Sequence, residues 1–221
     1  MVRPERVDPT KPPAPSLKFD MKKIAVLALA VAVLGAAPFV RAEVAPGQPA
    51  PDFTLTDTNG KQHKLSSLKG KFVVLEWTNP DCPFVVKHYD SKNMQSLQKA
   101  YTGKGVVWLS INSGAPGKQG VYPPAKVNEM VQAKGIASTA ELIDSDGKVG
   151  RAYGAKNTPQ MFVITPEGKI AYMGAIDSIP SPNQADIPKA TNYLKAALDS
   201  TMAGQPVAEA VTKPYGCSVK Y

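Results

Sequence analysis

Two stretches of the chain are apolar at almost every position and rich in β-branched and aromatic residues: KFVVLEWT (71–78) and GVVWLSIN (105–112). A strand with one solvated face alternates polar and apolar, so these unbroken runs predict central strands covered on both faces. Between them, PFVVKHYDSKNMQSLQKAY starts with proline, which suits a first helical turn. It sets Phe84, Tyr89, Met94, Leu97 and Tyr101 on one helical face. Upstream, EVAPGQPAPDFTLTDTNGKQHKLSSLKG is extended and interrupted by proline, with a short hairpin predicted across Thr58-Asn59-Gly60.

Downstream, SGAPGKQGVYPPAK reads as a long exposed loop and AKVNEMVQAKG as a short helix ending at Gly135. AELIDSDGKVGRAYGAKNTPQ predicts a strand, a turn and a short helix over Val149–Tyr153. QMFVI and KIAYMGAID form two strands joined by TPEG as an antiparallel turn, and ADIPKATNYLKAALDSTMAG is a last amphipathic helix. From Pro206 a tail runs to PYGCSVKY. Alternation of helix and strand, closed by a hairpin and a helix, predicts one α/β domain: a mixed central sheet with helices on both faces. No internal repeat and no second domain is visible.

The front of the chain has a different composition. From Met21, MKKIAVLALAVAVLGAAPFVRA has the basic start, apolar run and small residues of a secretory signal peptide, with cleavage expected after Ala42. The run is short for a bilayer, which needs about 20 apolar residues; an uncleaved anchor is the alternative. Residues 1–20 are Pro-rich and charged, and read as a mis-set start or a vector remnant. The expected organisation is a signal at 21–42, a domain at 43–202 and a tail at 203–221 carrying Cys217. The 179 residues from 43 onward suffice for a sizeable core without a metal or a dense disulfide frame.

Removing the leader also changes the charge. Seven of the 26 Lys and Arg and three of the 18 Asp and Glu lie in residues 1–42, leaving 19 against 15, or +4 in place of +8. The remaining lysines are scattered, so the charge reads as a solvated surface and not as a nucleic-acid footprint. An exported, periplasmic chain with two cysteines enters a compartment where disulfides persist.

Those cysteines, Cys82 and Cys217, carry the candidate chemistry. Cys82 sits where a central strand ends and a helix begins. There the free amides and the helix dipole stabilise a negative sulfur and lower a thiol's pKa. A buried, inert cysteine is the bland reading of the same residue. Pro83 suits the first helical turn, and Phe84 and Val85 offer backbone donors. Thr158-Pro159, just before a strand, is a place where a cis proline exposes a carbonyl and an amide to align an extended thiol substrate.

PGQPAPDFTLTDTNGKQHKLSSLKGKFVVLEWTNPDCP, followed in order by NTPQMFVITPEGKIAYMG, resembles thioredoxin-fold proteins of the redoxin, or AhpC/TSA-like, group over roughly Pro46 to Ser200. The resemblance implies a thioredoxin-like fold and thiol-dependent oxidoreductase chemistry. Thioredoxin-like reductases carry Cys-x-x-Cys at this bend; Cys82 aligns with its first cysteine, and Val85 occupies the second position. The peroxide-reacting cysteine of true peroxiredoxins also aligns nearer Val85, so the chain departs from both patterns. It is most similar to a peroxiredoxin-like branch with only the first cysteine and a GCS(I/V)K-aromatic tail.

The resemblance implies Cys82 as nucleophile and Cys217 as resolving thiol, with Pro83, Phe84, Thr158 and Pro159 as substrate-binding residues. The implied substrates are protein or small-molecule disulfides or hydroperoxides, with an external thiol as electron donor. A permanent Cys82–Cys217 staple, and two unpaired thiols, are the other readings of the pair. Glu76, a carboxylate inside an apolar strand, is a candidate proton relay; a solvent-facing position is its alternative. His88 reads as a surface or otherwise satisfied histidine, Asp81 as a possible helix cap, and Trp77, Phe84 and Tyr122 as rim or ordinary packing. No cofactor is expected. Two cysteines and two histidines show no close metal-binding cluster, and no phosphate or dinucleotide loop appears.

Overall fold

The computed structural model describes residues 44–221, together with Thr10 and Pro12. The predicted signal peptide lies outside the described residues. Among them, no helix is long and apolar enough to cross a membrane.

Both predicted central strands lie in the middle of one seven-stranded sheet. Strand β1 (Thr54–Asp57) makes the expected hairpin with β2 (Gln62–Lys64). Next come β3 (Val73–Trp77), helix α1 (Pro83–Asp90), helix α2 (Asn93–Thr102), β4 (Val107–Asn112), α3 (Pro124–Lys134) and β5 (Ala140–Ile143). The chain continues through α4 (Lys148–Tyr153), a two-residue strand β6 (Asn157–Thr158), β7 (Gln160–Ile164), β8 (Ile170–Gly174), α5 (Tyr193–Met202) and a last short strand β9 (Cys217–Ser218). The sheet order is β2-β1-β5-β4-β3-β7-β8. Pairs β3·β4 and β4·β5 are parallel, and β7 is antiparallel both to β3 and to its hairpin partner β8.

The period of two along β3 sorts its side chains between two cores. Val73, Leu75 and Trp77 pack with Phe53, Leu109, Tyr153 and Phe162 on one face. Val74 joins Met94, Tyr101, Trp108, Leu194 and Leu198 under α1, α2 and α5 on the other. Every residue of β3 and β7 is buried. The prediction of helices on both faces of a mixed sheet therefore holds.

Two predicted helices are divided. The single helix expected from Pro83 to Tyr101 breaks at Lys92, whose backbone is left-handed at φ 64°. The turn re-aims α2, and Tyr89 of α1 and Gln98 of α2 both reach the carboxylate of Glu76. The last helix is preceded by a separate 3-10 turn over Gln184–Lys189 that contains Pro188, a residue with no amide to continue the ladder. Asn192 then caps α5, its side chain accepting from the amide of Lys195 at 2.8 Å.

The tail folds against the domain. Met173 donates to Ala210 O at 3.0 Å and Thr212 donates back to Met173 O at 3.1 Å, so the tail runs beside β8. Gly174 makes this approach possible: at φ 151°, a Cβ there would lie 2.2 Å from Thr212 Oγ1 and 2.5 Å from Thr212 O. Gly174→Ala is therefore expected to destabilise the protein by about 2–3 kcal/mol through overpacking, measured as a lower urea midpoint with an unchanged slope.

Candidate active site

Cys82 caps the N-terminus of α1 with its backbone: its carbonyl accepts from Val85 N at 2.9 Å and Val86 N at 2.8 Å. Pro83 at the first helical position leaves no competing amide beside the sulfur. The Thr158–Pro159 bond is cis. The Thr158 carbonyl stands 3.1 Å from Cys82 Sγ and accepts from it when the thiol is protonated.

The third wall is the tail. Strand β9 pairs antiparallel with β6, with Cys217 opposite Thr158. This puts Cys217 N 3.4 Å from Cys82 Sγ, and the Cys217 thiol hydrogen-bonds the same sulfur. Gly216 permits the approach, because a Cβ there would stand 2.1 Å from the Thr158 carbonyl. Cys82 is consequently 1% exposed, whereas Cys217 is half-buried. Both are free thiols.

Residues on either side anchor this segment. The Phe84 and Tyr215 rings meet edge-on at 5.8 Å, and the Tyr215 hydroxyl donates to Asp177. Asp177 also receives Lys87 Nζ at 3.2 Å, and all three side chains of Lys87, His88 and Asp177 are buried. Beyond Cys217, Val219 N donates to Lys156 O at 3.0 Å and Ala115 N to Lys220 O at 2.8 Å. Tyr221 donates to Ala155 O at 2.8 Å and lies under the Arg151 guanidinium, 4.4 Å from its ring centre.

The sulfurs are electrostatically unequal. Burial would raise the Cys82 thiol, but hydrogen bonds from the Cys217 thiol, the Thr158 side chain and the backbone amides of Cys217 and Val85 outweigh it and hold the pKa below the ordinary thiol value. Burial, followed by the neighbouring Cys82 sulfur, pushes Cys217 up to about 11. Of the two sulfurs, Cys82 is therefore the more acidic and Cys217 the more basic.

Other expected residues fall as follows. Pro83 is exposed, while Thr158 and Pro159 are buried beneath or beside the tail, so the predicted substrate surface is already paired with the chain's own terminus. Glu76 is fully buried and faces no solvent. Its carboxylate accepts from Tyr89 and Trp108 at 2.8 Å each and from Gln98 and Ser110 at 3.4 Å each. Neither sulfur is among these four partners, so its visible work is to hold α1 and α2 to the sheet. Burial raises its pKa against those four bonds.

Asp81 does not cap the helix; both its oxygens accept from the Tyr122 hydroxyl at 2.9 Å. Trp77 donates to Ser113 in the opposite core. His88 is not a surface residue: it is wholly buried, takes Asn93 at Nδ1 and points Nε2 at Asp177 from 3.6 Å. Sequence reasoning passed over Lys87, Asp177, Tyr215 and Gly216. Lys87 and His88, polar side chains about one turn beyond Phe84 on a short helix, were the available signal.

A strand–cysteine–helix bend on a parallel strand pair, faced by a cis-proline loop, defines a thioredoxin-like fold of the thiol-dependent oxidoreductase class. Residues 46–173 match the model of the AhpC/TSA family, and the chain belongs to that family. The thiol-disulfide oxidoreductase ResA of Bacillus subtilis is 29% identical over 147 residues, covering 66% of this chain and 76% of ResA. ResA of Geobacillus thermodenitrificans is 32% identical over 128 residues, covering 58% of this chain and 67% of the relative. Among solved structures, a hypothetical protein from Sinorhizobium meliloti superposes with TM-score 0.67 at 26% identity, over 81% of this chain and 96% of its own. An uncharacterized conserved protein from Geobacillus kaustophilus gives 0.66 at 29%, over 81% and 94%.

Two outcomes follow from this geometry. Gly216→Ala should lift the tail and speed iodoacetamide labelling of Cys82 at least about tenfold, read by peptide mass mapping; an unchanged rate would mean that the tail does not cover the sulfur. His88 supplies a pH dependence. Burial, opposed by Asp177 and reinforced by Lys87, lowers its pKa from 6.5 to about 4. Between those values the unfolded chain holds the extra proton, so stability falls as pH drops. From pH 7 to 5 this residue should cost about 2 kcal/mol, seen in urea melts as a loss that disappears in His88→Gln.

Proposed function

We propose that the chain is an exported thiol–disulfide oxidoreductase whose redox couple is Cys82 and Cys217. The observation that carries this reading is the contact of Cys217 N and its thiol with a thiolate-biased Cys82 at the mouth of α1. A remote thiol on the tail takes the place of the second cysteine that Val85 replaces. Thiol-disulfide oxidoreductases among the relatives support the reaction class, and the leader at 21–42 supports export.

In the first half-reaction Cys82 thiolate attacks one sulfur of a substrate disulfide and expels the other as a thiolate. Cys217, as its thiolate, then attacks Cys82 in that mixed disulfide and releases the remaining substrate thiol. The pair ends as a disulfide and the substrate as two thiols. Phe84 and Thr158 frame the path, and the segment around Gly216 lifts to admit the substrate. Glu76 positions α1 through Tyr89.

A second reading draws on the near-complete cover over Cys82, which suits a small oxidant. Here Cys82 thiolate attacks the distal oxygen of a hydroperoxide and breaks its O–O bond, becoming a sulfenic acid, while the departing alkoxide takes a proton from solvent and leaves as the alcohol. Cys217 then condenses with the sulfenic acid and water departs.

The test is a glutathione redox titration of the pair with parallel assays of disulfide and hydroperoxide reduction. A midpoint above about −300 mV, with disulfide turnover lost at least about 100-fold in Cys82→Ser and Cys217→Ser, is expected for a cycling couple. A lower midpoint with intact folding and no turnover would make the bond a staple. Hydroperoxide turnover without disulfide turnover would select the second reading.

A further inference from the structure

We propose that the cavity beneath α3 binds a small aliphatic amine, with its hydrocarbon body between α1 and α3 and its ammonium on the carboxylate of Glu141. The site uses neither sulfur and does not depend on the reading of Cys82 and Cys217 as a couple.

Helix α3 has an apolar face that is not packed down. Val127, Met130 and Val131 follow the i, i+3, i+4 spacing of one helical face, yet no residue of α3 is buried. With Val85 and Val86 of α1 and with Ile136, they line a cavity of about 90 Å³. An unfilled apolar space forfeits the dispersion contacts of its walls. Judged against the ~150 Å³ cavity that holds benzene, this one has room for a branched chain of about four carbons. Tyr122 lines it from the exposed side, its hydroxyl held by Asp81.

The polar end comes from the sheet. Glu76, Ser110 and Glu141 are cross-strand partners on β3, β4 and β5, so the three side chains form one row on the face beneath the helices. The Glu76 end of the row is sealed by its four donors. The Glu141 end is not: its side chain is half-buried, lines the cavity, and accepts from Ser138 Oγ at 2.6 Å. Lys134, a cation on the same cavity wall, is turned away, with its Nζ on Asp90 at 2.9 Å. Among the described residues, no ion pair reaches Glu141.

This arrangement asks for a positive charge. Burial pushes the Glu141 carboxyl up to about 8 against the Ser138 bond, and the charge of Glu76 acts in the same direction. The other titratable groups facing it are Tyr89 from α1, which already donates to Glu76, and Lys134 from α3, which is paired elsewhere. From α2 the row receives only the uncharged Gln98. At neutral pH Glu141 therefore holds a proton, and an incoming ammonium displaces it: carboxylic acid plus ammonium becomes a carboxylate–ammonium pair plus one proton released to solvent. An alcohol of the same shape gains the apolar contacts and leaves the carboxyl protonated. The charge-assisted bond to the amine is the stronger of the two, and it selects the ligand.

The experiment titrates the full chain with isobutylamine, and with isobutanol as the neutral match, following backbone amide shifts by NMR. Isobutylamine should shift the signals of Val127, Val131 and Glu141 at pH 8 and bind at least about tenfold tighter than isobutanol. Its affinity should fall about tenfold from pH 7 to pH 6, because binding must then remove a proton from Glu141. Glu141→Gln should lose the preference for the amine and its pH dependence while keeping isobutanol binding, which reports an intact cavity. Val127→Phe, which fills the space, should abolish binding of both. No shift at millimolar isobutylamine overturns the proposal. Equal affinity for amine and alcohol, or amine binding that survives either substitution, overturns it as well.

Discussion

The pairing of two residues with two residues, β9 on β6, is the constraint on which the site depends. It is a small ladder, and its position matters more than its size. Thr158 is the residue whose carbonyl faces Cys82, so a strand laid in register on Thr158 delivers Cys217 to the same sulfur. A slip by one residue would turn Cys217 to the other face, because side chains alternate along a strand. The register is held from both sides: Tyr215 is tied to Asp177 before the strand, and after it Val219 and Tyr221 are bonded to the loop at Ala155–Lys156 and Lys220 to the loop at Ala115.

The tether before the strand is electrostatic and buried. Asp177 sits between a buried lysine, a buried histidine and the tail's tyrosine. Such a cluster is weak evidence for stability, since desolvating the charges costs as much as their attraction returns. Its value is specificity. Lys87 and His88 belong to the helix that Cys82 caps, and Asp177 follows β8, so the cluster fixes the helix, the sheet and the tail relative to one another. An apolar substitute of equal volume could fill the space without fixing the position of Tyr215.

The sheet and its layers were legible because β3, β4, β7 and β8 carry strong local patterns, dense β-branched runs and a TPEG turn, and an Asn-Gly turn marks the β1–β2 hairpin. The thiol bend was legible for the same reason, being a strand, a cysteine and a proline in sequence. What stayed hidden depends on partners far along the chain. Lys87 reads as solvated until Asp177, 90 residues away, appears beside it. Strand β9 is two residues long and has no period to detect; its pairing depends on Gly216 lacking a side chain at one carbonyl. Glu76 stood out as a lone carboxylate in an apolar strand, but its four donors come from two helices and the neighbouring strand. The break at Lys92 was masked because the residues after it keep a helical pattern of their own.

A proposed couple whose second thiol lies 135 residues from the first would tie redox state to tail docking. A local Cys-x-x-Cys pair closes a minimal loop and leaves the rest of the chain unaffected. Here the proposed Cys82–Cys217 bond would close nearly the whole domain, a constraint of roughly 4–5 kcal/mol on the unfolded chain in the entropic account. Folding and oxidation then favour one another, because a docked tail presents Cys217 to Cys82 and the bond keeps the tail docked. The contacts of Tyr215, Gly216 and Tyr221 thus enter the redox equilibrium itself. Every 1.4 kcal/mol by which they favour the closed, oxidised form lowers the midpoint by about 30 mV. In a protein with adjacent cysteines that potential is tuned beside the sulfurs; for the couple proposed for this chain it would be tuned along the tail.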